Sequence, residues 1–381
     1  MNHRKDLIVR QKITIPHTEL IPALLQELPQ WYRQQAEQRE LPWRSSPTPY
    51  HTWLSEIMLQ QTRAQAVIPY YERFLNALPD IQSLASCDEE QLMKLWQGLG
   101  YYSRGRNLKK AAVEIQQKYQ GKLPADFDLL LALPGIGRYT ASAIGSIAFG
   151  LPLPAVDGNV LRVLSRALAS LADIAAPATK KALEEALAPH YPQGKIAGEL
   201  NQAFMDLGAT LCLPKGKPHC AHCPLKKLCL AHAEGIEQQL PCKSSPRQRR
   251  IEQRTVLLLT MQGRVALHQR PARGLLAGLW EFPNLSGKLV KEDVETWLKR
   301  QGYTWLNIRP LPAAKHIFSH IEWQLSGWQI KLASSSGSTV AEEAPPFVWA
   351  TGQELAEKYS MPSAFQYYLA EIPSEKQDLY Q

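Results

Sequence analysis

The 381 residues of this chain correspond to two or three domains at roughly 150 residues each, and a chain of that length buries a core without disulfide staples. It carries 43 Lys and Arg against 35 Asp and Glu, a formal charge of +8, so polyanions (nucleic acid or an anionic membrane) are favoured partners. With 45% apolar and 20% charged residues it is not a disordered, collagenous or coiled-coil chain, and no stretch reaches the ~18 uninterrupted apolar residues of a membrane span.

The first twenty residues mix Arg, Lys, Asp, His and Glu around no apolar core, so an export signal is not expected and the expected location is cytoplasmic. From Ile21 to about His232 the pattern is helical. Leu24, Leu25, Leu28 and Trp31 form one apolar stripe, Leu92, Leu95, Trp96 and Leu99 a second, and Leu161, Leu164, Leu168 and Leu171 a third. Pro and Gly interrupt these runs at short intervals, which predicts many short helices. Gln238 to Arg250 is polar, basic and contains Pro241 and Pro246, the composition of an exposed linker. Beyond it, Thr255–Leu259 and Arg264–Gln269 read as strands joined at Met261-Gln262-Gly263, and Trp323–Leu332 alternates as a half-buried strand does. Val290–Gln301 and Gly352–Tyr359 read as helices between the strands. The expected architecture is an all-α first domain and a smaller α+β second one.

Within the helical part, Thr52 to Arg63 predicts one helix with Thr52, Glu56, Gln60 and Arg63 on a narrow polar face. Taken alone, such a face belongs in solvent. Gly98 to Arg106 interleaves glycines, tyrosines and arginines in a loop, which suits either base stacking or a tyrosine-anchored turn. Leu133-Pro-Gly-Ile-Gly opens a helix. Gly135 and Gly137 permit a tight turn whose free N–H groups face outward, as in a phosphate-clamping helix–hairpin–helix or a plain helical turn. Asp157 precedes Gly158-Asn159 and a Leu/Val helix; it reads as an N-cap or as a carboxylate kept ionised by the helix dipole. Two carboxylates on separate elements, Glu56 and Asp157, suit an acid and a charge stabiliser for glycosidic cleavage.

Cys212, Cys220, Cys223 and Cys229 follow the pattern C-x7-C-x2-C-x5-C. In a chain without an export signal this reads as metal ligation, and a tetrathiolate suits zinc or an iron–sulfur cluster. Cys87 and Cys242 read as small hydrophobes. The charge is local too: Lys215 to Arg254 holds nine basic residues against three acidic ones, a net +6.

The Glu56 helix with Gln60-Gln61-Thr62, Leu99-Gly-Tyr-Tyr-Ser-Arg104, the Leu133 hairpin, Val156-Asp-Gly-Asn159 and the four cysteines occur in the order seen in the helix–hairpin–helix, endonuclease III-like DNA glycosylase superfamily. Over roughly residues 21–370 the chain is similar to its adenine DNA glycosylase (MutY) family. That resemblance implies a mainly α catalytic region at 17–232, comprising a six-helix barrel with helix–hairpin–helix and a [4Fe–4S] cluster domain. A basic linker at 233–253 and a MutT-like (Nudix-like) 8-oxoguanine recognition domain at 254–370 would follow.

It further implies that adenine opposite 8-oxoguanine or guanine in double-stranded DNA is flipped out and removed, by a monomer. Glu56 would be the general acid, Asp157 the carboxylate that stabilises the sugar cation, and Asn159 its assistant. Sister enzymes carry Lys where Tyr139 stands, and tyrosine cannot form their Schiff base, so a monofunctional glycosylase is implied. The alternatives are a bifunctional glycosylase/lyase and a non-enzymatic iron–sulfur DNA-binding protein. Arg44, Gln60, Gln61, Thr62, Leu99, Tyr101, Gly135, Gly137, Lys215 and Lys217 would contact DNA. Phe318, Ser319 and His320 would read the lesion; Gly278-Leu-Trp-Glu-Phe-Pro283 is followed by no R-E-x-x-E-E box, so the domain is expected to recognise and not to hydrolyse. In the family six residues usually separate the first two cysteines; here Leu213 to His219 makes seven.

Overall fold

The computed structural model describes residues 13–36, 39–45, 47–245, 248–333 and 347–372. They fall into two compact units. One comprises the chain up to Ser86 together with Asn107–Ser245, and the other comprises Cys87–Arg106 together with the chain after Ser245.

The first unit is helical among its described residues. Its core is built where the Ile21–Ala36 helix packs on Gly158–Ala167 and Lys195–Thr210, and Ile21, Leu24 and Leu28 lose all exposure there. Each such side chain contributes about 1.5–3 kcal/mol by leaving water. Leu161, Leu164 and Leu168 are buried as their spacing requires, but Leu171 is 73% exposed. The helix stops at Ala167 and Ala169 turns left-handed, so the 3.6-residue period no longer applies at Leu171. The helices Phe127–Ala132 and Arg138–Phe149 flank the glycine hairpin. Asp126 caps the first by accepting from Leu129 N at 2.9 Å, and left-handed Gly150 ends the second. The predicted linker is anchored at its start: Leu240 is buried, its carbonyl accepts from Arg166, and Ile174 N donates to the Cys242 carbonyl.

The second unit is built on a seven-stranded sheet: β1 Arg250–Met261, β2 Arg264–Gln269, β3 Trp280–Glu281, β4 Asn284–Ser286, β5 Trp305–Ile317, β6 Ile321–Leu332 and β7 Val348–Ala350. The order is β3-β2-β1-β6-β5, with β4 pairing β1 and β7 pairing β2. β1 runs parallel to β6 and antiparallel to β2. The β1–β2 turn is the two-residue type the dipeptide predicts, since Gln262 and Gly263 both take positive φ, 50° and 73°. Val256 and Leu258 face one core with Phe282, Trp323 and Phe365. Leu257 and Leu259 face the other, covered by Val294 and Leu298 of the Lys291–Arg300 helix. A continuous apolar run therefore marks a strand buried on both faces.

The Cys87–Arg106 part of this unit holds the Glu89–Trp96 helix, capped by Asp88 through Gln91 N at 2.6 Å, and the loop that follows it. Leu92 and Trp96 are fully buried.

Candidate active site

Thr48 accepts a hydrogen bond from His51 N at 3.1 Å, and Pro49 follows it, so the sequence starts the Pro49–Leu59 helix here. The polar face that periodicity assigns to solvent is interior: Thr52 and Ser55 are buried and Glu56 is 7% exposed. The correction is tertiary, because this helix packs against Arg138–Phe149. It also ends at Leu59, short of Arg63; Gln61 is left-handed and Arg63 caps the next helix, Ala64–Ala77.

Tyr139 stands in the first turn of the Arg138–Phe149 helix and donates its hydroxyl to Glu56 Oε2 at 2.9 Å. Burial pushes the Glu56 carboxyl up to about 7. The negative charge of Asp157 adds to the rise, while the Tyr139 hydrogen bond and the Arg44 charge oppose it. Burial also drives the Tyr139 hydroxyl well above its ordinary range, so it stays a donor.

Asp157 is the N-cap its position allows. It caps Gly158–Ala167, accepting from Asn159 N at 2.8 Å and Val160 N at 2.9 Å, and its second oxygen accepts from Asn159 Nδ2 at 2.8 Å. Burial raises its pKa; the backbone donors, the Asn159 amide and the Arg162 charge pull it back down. Glu56 has one such donor and rises to about 7, whereas Asp157 has three. The two carboxyls are thus solvated unequally by hydrogen-bond donors, the kind of asymmetry that separates an acid from a charge.

Glu56, Tyr139, Asp157 and Asn159 line one groove of about 1870 Å³. Gln60, Gln61, Thr62, Arg63, Gly137, Arg138 and Lys180 line it as well. Gln60 Nε2 donates to Thr140 Oγ1 at 3.2 Å, and Gln61 is exposed. Gly135 is exposed at φ 78°, and a Cβ there would lie 2.7 Å from Asn107 Cβ, so only glycine fits the hairpin. Arg44 lines the groove but spends its guanidinium on buried Asp206, at 2.7 and 3.1 Å, with Arg39 on the same carboxylate. Asp206 is thereby neutralised by two arginines.

In the second unit, Leu99 is buried, while Tyr101 is 45% exposed with φ 46°. Tyr102 is the buried anchor of the turn, and Tyr101 is an exposed ring. Phe318-Ser319-His320 forms the β5–β6 turn, closed by Phe318 N to Ile321 O at 2.8 Å. Ser319 and His320 are exposed, and Ser319 Oγ lies 2.9 Å from Tyr101 Oη.

The four cysteines are free thiols lining one small cavity with Arg166 and His232. Burial pushes Cys223 to about 12 and Cys229 to about 11, and crowding by the other thiols adds to both. Such a set ionises together only around a cation, which fits a thiophilic metal centre. Lys215 and Lys217 are exposed in the loop between the first two cysteines, which Gly216 turns at φ 74° and His219 N closes onto Leu211 O at 2.9 Å.

Sequence reasoning passed over Arg162 and Arg166. Arg162 Nη2 holds Asn159 Oδ1 at 2.9 Å and its Nε holds the Cys212 carbonyl at 2.8 Å; Arg166 Nη1 lies 3.1 Å from Cys212 Sγ. Two buried arginines four apart in a Leu/Val helix are the signal, since buried guanidinium requires partners.

Comparison with known proteins finds two family matches along the chain. The HhH-GPD superfamily of base excision DNA repair proteins matches residues 54–189, and the NUDIX domain matches residues 255–371. The adenine DNA glycosylase of Mus musculus is 35% identical over 91% of this chain and 78% of its own length. The chain belongs to the adenine DNA glycosylase family. The Homo sapiens family member is 34% identical over 90% of this chain and 73% of its own. The member from Buchnera aphidicola subsp. Baizongia pistaciae (strain Bp) is 35% identical over 76% of this chain and 81% of its own. Family membership makes this a DNA N-glycosylase of base excision repair, with a helical HhH-GPD region followed by a Nudix-like domain. The lyase and non-enzymatic alternatives are not favoured. Among the described residues no helix is long and apolar enough to cross a membrane.

Proposed function

We propose that this member of the family is monofunctional and hydrolyses adenine from duplex DNA where it opposes 8-oxoguanine or guanine, leaving an abasic site. The observation that carries the reading is the Glu56 carboxyl, buried, held by Tyr139 and pushed up to about 7, in the same groove as Asp157, which accepts three hydrogen bonds. Adenine must leave the stack to reach it, since its glycosidic bond is shielded inside a duplex. Glu56 then donates a proton to the adenine ring as the bond breaks, and the base departs neutral. Asp157, oriented by Asn159, offers negative charge to the sugar cation. Water adds at the anomeric carbon and its proton returns to Glu56. Tyr139 brings no amine, so no imine intercepts the sugar.

In this reading Gly135 and Gly137 present backbone N–H groups to a phosphate, and Gln60, Gln61, Thr62, Leu99 and Tyr101 hold the opened duplex. Lys215, Lys217 and the groove arginines, Arg44 among them, supply positive field. In this reading the catalytic region takes 17–232 and the linker 233–253, whose last residues Arg250–Gln253 already pair as the start of β1. The 254–370 domain reads the base opposite adenine through Phe318, Ser319 and His320. Cys212, Cys220, Cys223 and Cys229 would hold a [4Fe–4S] cluster, whose metal–thiolate bonds tie the loop carrying Lys215 to the helical unit. The protein acts as a monomer inside the cell.

The test is excision from a duplex with adenine opposite 8-oxoguanine. The product strand should break only after alkali; a break without alkali, or an adduct trapped by borohydride, overturns the monofunctional reading. Protein that is colourless and holds stoichiometric zinc overturns the cluster.

A further inference from the structure

We infer that Arg106 is a positioning residue for opposite-base discrimination, holding the Tyr101 loop in register with the Phe318–His320 turn by gripping the Pro271–Leu279 loop. The inference rests on the reading that this unit senses the base opposite adenine.

Arg106 lies on the first turns of the Ser103–Tyr119 helix, five residues after Tyr101. Its side chain is 20% exposed and its guanidinium is divided: Nε donates to Glu89 Oε1 at 2.6 Å, and Nη2 donates to the Ala277 carbonyl at 2.6 Å. Glu89 is 63% exposed, so that ion pair is screened and weak. The bond to Ala277 is the structural one. The next residue, Gly278, has φ 66°, and a Cβ there would lie 2.9 Å from Arg106 Nη2. The loop is therefore seated directly on the guanidinium.

From that loop the contacts run on to the reading turn. Gly278 N donates to Pro271 O at 3.0 Å, and Arg270 Nε donates to Leu275 O at 2.9 Å, which closes the loop on itself. Arg270 also holds Glu281 at 2.6 Å and lies 5.6 Å from the centre of the Trp323 ring. Phe318 packs edge-on against Trp323 with ring centres 5.0 Å apart. Ser319, the next residue, returns to Tyr101 at 2.9 Å, and Arg104 lies 5.4 Å from the Tyr101 ring while donating to the Leu99 and Gly100 carbonyls. The circuit is closed, and Arg106 is where the helix that follows the Tyr101 loop enters it. Tyr101 with Ser319 forms one exposed edge, and Arg106 adds a second tie between its two halves beside the Tyr101–Ser319 contact itself.

The experiment compares single-turnover excision opposite 8-oxoguanine and opposite guanine. Arg106→Ala should lower the preference for 8-oxoguanine by about tenfold, the scale of one charge-assisted hydrogen bond, with the guanine-opposed rate close to that of the parent. Hydrogen exchange across 271–279 should quicken. Glu89→Gln should change neither. Arg106→Lys, which keeps the charge but loses the divided grip, should behave as Arg106→Ala does and serves where alanine does not fold. A folded Arg106 variant with the parent's preference overturns the inference. Ser319→Ala separates the two failures: if it lowers the preference and the Arg106 variants do not, only the Arg106 role is lost. If neither lowers it, the recognition reading fails as well.

Discussion

The Tyr139 hydroxyl donates to Glu56 Oε2 at 2.9 Å, joining the hairpin helix to the helix that bears the acid. At the position where related lyases carry an amine, this residue instead tunes a carboxyl. It favours the ionised form of Glu56 against a burial that favours the neutral one.

That opposition predicts a pH profile. Glu56 works as an acid only while protonated, so the excision rate should fall as pH rises through about 7. Tyr139→Phe removes a bond to the charged form, so the falling limb should move to higher pH. A limb that stays put or moves lower would show that the bond does not set this acidity.

Glu56→Gln should reduce single-turnover excision by at least about 10²-fold, with duplex binding retained, as expected for loss of a general acid. It should also stabilise the protein. The folded pKa lies above the unfolded one, so the ionised group destabilises the fold, by nothing below about 4.5 and fully above about 7. A neutral glutamine should therefore gain on the order of 1–3 kcal/mol at pH 8 and little at pH 4.5, read from thermal unfolding at both. An equal gain at both pH values would contradict the assignment.

Asp157 has two duties that substitution can separate. Asp157→Asn retains a capping oxygen and should cost the helix little, while excision falls by about 10²-fold or more. Asp157→Ala should add a loss of about 1 kcal/mol in unfolding free energy, because Asn159 N and Val160 N lose their acceptor. Equal stability of the two variants would argue against the capping role.

Gly135→Ala combines a positive φ with a Cβ 2.7 Å from Asn107. It should destabilise the protein by about 1–3 kcal/mol and weaken binding to undamaged duplex, since the clamp reads phosphate and not sequence. Gly137 has open space around it, so Gly137→Ala should be milder by both unfolding and gel-shift measurements.

Much of the fold was legible from residue order. Periods of 3.6 located the stripes at Leu24 and Leu161, and Gln262-Gly263 announced its hairpin. These are local signals, because propensity and turn chemistry act over a few residues. The errors arose where a local signal was cut or overridden. Leu171 lay past a helix end, and the Glu56 face was polar yet interior. Other contacts have no local signal at all: Arg44, which lines the groove, is held by Asp206 from a helix more than 160 positions away.

By itself the sequence determined which chemistry the chain carries: two carboxyls, a tyrosine in place of an amine, a glycine hairpin and four clustered thiols. It did so because residue type and short spacing are what those motifs consist of. Only the tertiary structure decided that Glu56 is buried and held by Tyr139, since the burial and that donor come from another helix. It alone also brought Tyr101 to Ser319 and Arg106 to Ala277, contacts across more than 160 residues that no local period encodes.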